Sequence, residues 1–333
     1  MPQPKVFDGH NDALQALYDP RKMGRSLLEE GAVGHLDLPR ALRGGFGGGM
    51  FAIFVSSGGA GAALDPEIAR ATTERGMAAL LELERAAQGR LRVVRDCAAL
   101  RAAWDDGAVA AVMHIEGAEA VDPQITRLEP YYRMGLRSIG LVWSRPNAFG
   151  TGVDFQAGAS PDQGPGLTPA GLALVRACNR LGILVDLSHL NEKGFWDVQR
   201  ESSAPLVASH SCVYRLSPSP RNLTDRQIDA VAASGGIIGI NFAVSFLRAD
   251  NGDDPDTPLS DVVRHFRYIA DRVGADHVGF GSDFDGCTIP RELGDAAGLP
   301  RLMDALARCF DAADLAKIAH GNWMRVLEAT WKE

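Results

Sequence analysis

The chain has 333 residues, of which 46% are hydrophobic and 23% charged, as is typical of a globular protein and unlike a disordered one. Its formal net charge of −8 and its lack of any Lys/Arg block argue against nucleic acid or an anionic membrane as a partner. No apolar run approaches the ~20 residues that span a bilayer. No signal segment precedes the first strand, so we expect a cytoplasmic protein. The five scattered cysteines argue against a disulfide framework.

The first predicted strand, Val6–Asp12, runs from apolar residues into an Asp-x-His-x-Asp cluster. Because side chains alternate between the two faces of a strand, His10 and Asp12 share one face. An imidazole and a carboxylate on one face suit a divalent metal such as zinc, which would need further ligands from elsewhere in the chain. A surface aspartate hydrogen-bonded to a histidine is the alternative.

Seven more short strands follow, and segments with the apolar spacing of helices separate nearly all of them. We predict these strands at Met50–Val55, Val109–Gly117, Leu136–Trp143, Ile183–His189, Pro205–Ser211, Ile237–Phe242 and His277–Asp283. We predict helices at Pro66–Gln88, Cys97–Trp104, Pro123–Met134, Thr168–Gly182, Glu192–Glu201, Thr224–Gly235, Leu259–Val273, Leu299–Ala307, Ala312–Ala319 and Asn322–Trp331.

Eight strands alternating with helices predict a parallel (β/α)8 barrel. A doubly wound open sheet is the rival, but no Gly-x-Gly-x-x-Gly fingerprint follows the first strand. Because the candidate site residues run from His10 to Asp283, we expect residues 1–333 to form one domain. The long polar segment Ser144–Gly166 is either a lid over the site or a solvated excursion.

Six residues with metal-binding or acid–base chemistry fall at predicted strand ends, where barrel enzymes place their active sites. Three histidines and three carboxylates exceed the usual three protein ligands of one catalytic zinc, so we expect a pair of metals about 3.5–4 Å apart. We expect Glu116 to bridge them. The six residues are His10, Asp12, Glu116, His189, His210 and Asp283.

Water between two cations has a lowered pKa and attacks as hydroxide, while a metal polarises the target carbonyl. A further carboxylate that takes the proton of this water and passes it to a leaving amine completes a hydrolase. We assign that role to Asp283. We expect Asp8 and Asp186 to support the site by hydrogen bonding. The remaining histidines are expected in packing or at the surface: His35, His114, His265, His277 and His320.

Several short motifs, in this order along almost the full chain, resemble those of the membrane (renal) dipeptidase family, a branch of the amidohydrolase superfamily. They are Phe7-Asp8-Gly9-His10-Asn11-Asp12, His114-Ile115-Glu116-Gly117, Asp186-Leu187-Ser188-His189, Ser209-His210-Ser211, Arg221-Asn222 and Gly281-Ser282-Asp283-Phe284-Asp285-Gly286.

The resemblance implies a distorted (β/α)8 barrel, a homodimer, and hydrolysis of dipeptides that often carry a D-residue at the C-terminal position. It implies two zinc ions, with Asp283 beside the bridging water. It also implies that Arg221 grips the terminal carboxylate of the substrate, with Asn222 as a further substrate contact. One zinc would bind His10, Asp12 and Glu116, and the other Glu116, His189 and His210.

Two positions depart from the family pattern. Trp143 stands where eukaryotic members have a histidine near the scissile bond, and Phe246 stands where a tyrosine of the substrate pocket is expected. Trp can donate one hydrogen bond but cannot accept a proton. These changes leave the metal ligands intact and bear on substrate choice. The alternatives are therefore a metal-dependent hydrolase of another small amide, such as an N-acyl amino acid or a lactam, and a non-catalytic binding protein.

Overall fold

The computed structural model describes residues 4–57, 59 and 61–332. Residues 1–3, which entered the argument about a signal segment, lie outside the described residues. The strands are β1 (Val6–Asn11), β2 (Phe46–Phe54), β3 (Leu91–Val93), β4 (Val109–Glu116), β5 (Leu136–Gly140), β6 (Leu184–Asp186), β7 (Val207–Ser211), β8 (Ile237–Ile240) and β9 (Val278–Phe280).

Thirteen α-helices connect or close the strands in the described chain. They are α1 (Gln15–Tyr18), α2 (Leu38–Arg43), α3 (Pro66–Ala86), α4 (Cys97–Asp105), α5 (Leu128–Met134), α6 (Pro169–Leu181), α7 (Glu192–Glu201), α8 (Asp225–Ala233), α9 (Val244–Leu247), α10 (Leu259–Val273), α11 (Leu299–Leu306), α12 (Ala312–Ala316) and α13 (Asn322–Thr330).

All strand pairs are parallel, and eight of the strands close into a barrel. The closing pair is β2 with β4, which runs in register from Gly48 beside Ala110 to Phe54 beside Glu116. The predicted (β/α)8 barrel is therefore confirmed. Strand β3 is an addition that was not predicted: it pairs with the first half of β4, and β5 takes over that edge from Met113.

Strand ends differ from the prediction at several places. Strands β6 and β9 stop before His189 and Asp283, which were predicted to end them, and β5 and β8 stop before their predicted ends at Trp143 and Phe242. His189 and Asp283 instead lie in the following loops with positive φ angles of 68° and 57°. A residue in the left-handed region cannot continue a strand, so the backbone turns there and aims the side chain across the barrel mouth.

The glycine-rich stretch before Met50 belongs to β2, although it was predicted to be only an approach to that strand. A Cβ atom on Gly49 would lie 2.6 Å from the carbonyl oxygen of Asp8, and one on Gly48 would meet the backbone of Ala110. Glycine is required here because β2 packs closely against both of its neighbours.

Helix boundaries follow the capping residues. Thr168 accepts a hydrogen bond from the backbone N–H of Gly171, and Thr224 forms a capping box with Gln227. The buried faces of the helices join the strands in a core that includes Phe7, Met50 and Trp323. None of the helices in the described part of the chain has the length and apolar character that crossing a membrane requires.

His265 on α10 makes the stability of the fold depend on pH. Its Nδ1 accepts from the backbone N–H of Val213 and its Nε2–H donates to the carbonyl of Leu247, each at 3.1 Å, so the ring is held neutral. Burial lowers its pKa to about 4. The folded state resists protonation that the unfolded chain accepts below about pH 6.5, so stability is lost as pH falls from 6.5 toward 4.

We expect the free energy of unfolding, measured with urea, to fall by about 2 kcal/mol more between pH 6.5 and 5 in the wild type than in His265→Gln. Equal slopes for the wild type and His265→Gln would contradict this assignment.

Candidate functional site

The candidate ligands converge at the carboxyl ends of the strands. His10 lies in β1, Glu116 ends β4 and His210 lies in β7. Asp12 follows β1 by one residue. All of these side chains are buried, which is unusual for carboxylates unless they are paired or bind a cation.

Glu116 is the centre of the cluster. Its Oε1 lies 3.0 Å from His189 Nε2, 3.5 Å from His210 Nε2 and 3.7 Å from His10 Nε2. The two Nε2 atoms of His189 and His210 are 3.1 Å apart. Asp12 Oδ2 completes the other side, at 3.8 Å from His10 Nε2. One carboxylate therefore faces three imidazoles.

These separations fit ligands around cations. Two ligands about 2.1 Å from a tetrahedral ion stand about 3.4 Å apart, close to the distances observed. Neither ring nitrogen of His10 has a hydrogen-bond partner in the described chain, although the residue is buried. Two groups have the geometry to hold an ion and share Glu116: His10, Asp12 and Glu116, and Glu116, His189 and His210.

The ligand atoms of a third group, His10, Asp186 and His210, also lie close enough together to hold an ion. Asp186, however, already accepts hydrogen bonds from the backbone N–H groups of Ser188 and Ser209 and from the hydroxyl of Ser209. We therefore interpret Asp186 as a residue that positions the candidate ligands through hydrogen bonds.

Burial dominates the acid–base properties of the cluster. It raises the pKa of Glu116 to about 8, and it lowers the pKa values of His189 and His210 well below their usual range. For His10, neighbouring carboxylates, Glu116 foremost, outweigh the effect of burial and raise the pKa to about 10. The neutral imidazoles of His189 and His210 beside the buried carboxyl group of Glu116 suit a divalent cation, because the cation stabilises the carboxylate form.

Hydrogen bonds to Nδ1 fix the orientation of the imidazoles of His210 and His189. Asp186 accepts the hydroxyl proton of Ser209 at 2.5 Å, so the oxygen of Ser209 is left to accept from His210 Nδ1 at 2.7 Å. Ser144 Oγ lies 2.8 Å from His189 Nδ1. With Nδ1 engaged, Nε2 of each ring keeps its lone pair for a metal.

We expect Ser209→Ala to weaken metal binding by about 10–100-fold, because His210 loses the partner that fixes its tautomer. Competition with a chelator measures this affinity directly. The matched control is Ser211→Ala on the same strand, since the hydroxyl of Ser211 has no partner in the described chain. The same affinity in both variants would count against the assignment.

Asp283 lies beside the cluster rather than inside the ligand groups. Asn241 Nδ2 donates to its Oδ2 at 2.9 Å, and a Cβ atom on Gly286 would collide with both Asp283 Oδ1 and Asp12 Oδ2. Asp283 Oδ1 therefore lies on the side of Asp12, while Asp283 Oδ2 is held by the side-chain amide of Asn241. Burial raises the pKa of Asp283. Asn241 was not singled out from the sequence.

Arg221 is 3% exposed and lines the same cavity. One guanidinium nitrogen donates to the carbonyl of His210 at 3.1 Å, while Nε is buried without a partner in the described chain. The guanidinium lies 5.4 Å from the ring centroid of Phe246. A buried guanidinium that points into a cavity and has no carboxylate partner among the described residues suits a carboxylate ligand.

Asn222 lies outside the cavity lining. Its side chain accepts from the backbone N–H of Cys212 at 3.1 Å and donates to the carbonyls of Ser217 and Phe246 at 2.9 Å each. The substrate contact expected of Asn222 stays a prediction, because its side chain is bound to the backbone and does not line the cavity. The amide instead fixes the turn that carries Arg221.

The cavity above the cluster has a volume of about 200 Å³, at the small end of ligand sites. Trp143 and Phe246 line it, as do several residues that the sequence did not indicate as site residues, most of which lie outside the strand-end motifs. These are Gln15, Lys22, Phe54, Ser56, Phe155, Ala243, Ser245 and Gly286.

A buried ion pair packs against Trp143 and Phe54, two aromatic residues that line the cavity. Arg145 donates to Glu119 at 2.6 Å and to the carbonyl of Val55 at 3.0 Å. Its guanidinium carbon lies 5.2 Å from the ring of Trp143 and 5.5 Å from that of Phe54. Arg145 therefore connects the segments that follow β2, β4 and β5 and supports the rings of Trp143 and Phe54.

The residues expected to have structural roles have such contacts. Asp8 accepts from the backbone N–H and the hydroxyl of Ser282, at 2.6 and 2.8 Å, and so ties β1 to the loop that carries Asp283. His114 lies in the barrel interior, 2.9 Å from the hydroxyl of Ser138. His35 accepts from the backbone N–H of Asp285.

A family model described as membrane dipeptidase, peptidase family M19, matches residues 1–332. A metallo peptidase from Rhodobacter sphaeroides, solved with a phosphinate mimic of L-Ala-D-Ala, is 46% identical, covers 99% of this chain and 100% of its own, and has a TM-score of 0.95. Dipeptidase tcpJ of Claviceps purpurea is 30% identical over 96% of this chain and 76% of its own. An uncharacterized Klebsiella pneumoniae protein from the pqqA 5' region is 47% identical over 77% of this chain and 95% of its own.

Proposed function

This chain belongs to the membrane dipeptidase family, peptidase family M19, and from that membership we propose a binuclear zinc dipeptidase that cleaves L-Xaa-L-Xaa or L-Xaa-D-Xaa. That the chain is a peptide-bond hydrolase of a metallopeptidase family follows from the family match itself. A non-catalytic binding protein is therefore excluded. The observation that carries the finer proposal is the pair of ligand groups that share Glu116.

We assign one zinc ion to His10, Asp12 and Glu116, and the other to Glu116, His189 and His210. Nitrogen and carboxylate ligands of this kind suit zinc. When bound, the two ions supply a Lewis acid for the scissile carbonyl and lower the pKa of water.

Asp283 is the proton carrier of the proposal. Asn241 holds one carboxylate oxygen, and the other is available to take a proton from the attacking water and pass it to the leaving amine. Burial raises the pKa of Asp283, which helps it to hold that proton between the two transfers.

Arg221 orients the substrate in this proposal. Its guanidinium lines the cavity and has a free Nε, so it can bind the terminal carboxylate of a dipeptide and place the peptide bond over Glu116. The L-Ala-D-Ala mimic bound by the Rhodobacter sphaeroides relative supports a substrate of this size and charge.

The function is tested by elemental analysis of the purified protein together with amino-acid release from a panel of L-Xaa-L-Xaa and L-Xaa-D-Xaa dipeptides. Two zinc equivalents and turnover of dipeptides are expected. Two equivalents with turnover only of N-acyl amino acids or lactams would favour the alternative of another small-amide substrate, which the departures at Trp143 and Phe246 motivate. Fewer than two equivalents at full activity would overturn the binuclear assignment.

We expect Arg221→Met to raise KM for dipeptides by at least about tenfold, because a charge-assisted contact to the carboxylate is lost. The diagnostic measurement compares each dipeptide with its C-terminal amide. The wild type should discriminate strongly against the amide, whereas the variant should treat the two alike. Unchanged discrimination in Arg221→Met would show that another group binds the carboxylate.

A further inference from the structure

Phe155 is a large apolar residue that stays 44% exposed and lines the cavity above the metal-ligand cluster. It belongs to the segment 144–166, which was expected to be either a lid or a solvated excursion. A ligand that enters the cavity can cover this ring and remove its apolar surface from water. The position therefore indicates a contact with substrate.

The backbone on both sides of Phe155 is fixed. Val153 N–H donates to the carbonyl of His189 at 2.8 Å, and Gly158 N–H donates to the carbonyl of Pro218 at 2.7 Å. The first anchor is a candidate metal ligand and the second lies in the turn before Arg221. Phe155 is thus held in place between the metal-ligand cluster and the carboxylate-binding arginine.

The ring of Phe155 completes an aromatic arc. Its centroid lies 5.7 Å from that of Trp143 and 6.2 Å from that of Phe246, with an interplanar angle of 20° to the latter. It lies 6.3 Å from the ring of His189 in an edge-on arrangement. Phe155 is the middle ring of the arc, and its neighbour Phe246 also contacts the guanidinium of Arg221. Phe155 therefore lies one ring away from the group that is proposed to bind the C-terminal carboxylate of the substrate.

We propose that Phe155 is a specificity-determining residue that selects an apolar side chain on the C-terminal residue of the substrate. This inference rests on the proposed function, because it takes Arg221 as the group that binds the C-terminal carboxylate. An apolar side chain there covers the rings of Phe155 and Phe246 and removes them from water. A charged side chain would lose hydration against the same rings.

The test measures kcat/KM for an L-Ala-Xaa series in which only the C-terminal residue changes, with Gly, Ala, Leu, Phe, Asp and Lys in the configuration that the wild type cleaves. The wild type should prefer Leu and Phe to Gly, Asp and Lys. Phe155→Ala should lower the Leu-to-Gly ratio by about 10–100-fold and change the Gly substrate less than about threefold. Phe155→Leu should keep most of the wild-type ratio.

Gln156→Ala is the matched control, since Gln156 is the next residue on the same segment and is exposed. It should leave the ratio unchanged. The proposal is overturned if the wild type prefers Asp or Lys at the C-terminal position. It is also overturned if Phe155→Ala lowers kcat/KM equally for every substrate, or if it changes kcat/KM only in a series Xaa-L-Ala, in which the N-terminal residue varies. An equal loss would mean that Phe155 only covers the site.

Binding separates this proposal from the proposed function. Titration calorimetry with phosphinate mimics of Ala-Leu and Ala-Gly measures the corresponding Leu-to-Gly ratio of binding affinities, which does not depend on turnover. If no dipeptide is cleaved, the proposed function fails, and the calorimetric ratio in the wild type and Phe155→Ala still decides the role of Phe155. Equal affinities of the wild type for the two mimics would overturn it.

Discussion

Asp283→Asn is expected to lower kcat for dipeptides by about 10²–10⁴-fold, because an amide cannot carry the proton from water to the leaving amine. The variant keeps the size of the side chain and its contact with Asn241. Metal content should therefore remain at the wild-type level. Steady-state kinetics and elemental analysis on the same preparation measure the two effects separately.

Asp253→Asn is the control for this experiment, since Asp253 is exposed and distant in sequence from the ligands. It should change neither kcat nor metal content. Retention of more than about a third of the activity in Asp283→Asn would remove Asp283 from the proton path. Loss of metal together with activity would instead assign it a role in holding the ions.

Arg145→Met is expected to lower the free energy of unfolding by about 3–5 kcal/mol, the largest stability effect that we predict. The substitution leaves the carboxylate of Glu119 buried without its ion-pair partner and frees the carbonyl of Val55. Chemical denaturation at neutral pH measures the loss. Because Arg145 also lies against Trp143, activity on dipeptides should fall in the same variant.

Two comparisons identify the cause of that loss. Arg43→Met removes an ion pair to Glu30 in which both side chains are about half exposed, and it should cost much less stability than Arg145→Met because solvent screens the pair. The double variant Arg145→Met/Glu119→Leu removes both buried charges and should be more stable than Arg145→Met alone. A double variant that is less stable than the single one would show that packing, rather than an unpaired charge, sets the cost.

Much of the fold could be predicted from local patterns. The apolar runs of β1, β4 and β7 and the caps at Thr168 and Thr224 are signals within a few residues of sequence. Strand β3 was missed because three residues carry no periodicity that separates a strand from a loop. The ends of β6 and β9 were misplaced because His189 and Asp283 adopt left-handed backbone conformations that their residue types do not announce.

The sequence by itself determined the barrel class and the set of candidate ligands, because strand alternation and polar residues at strand ends are local features. Asp8 and Asp186 were expected as supporting groups, but only the tertiary structure decided the other residues that contact the site. Asn241 meets Asp283 across 42 residues of sequence, and Arg145 meets Glu119 across 26. Phe155 comes to lie over His189 through backbone anchors on two other loops. Such contacts depend on barrel closure, which no local pattern encodes.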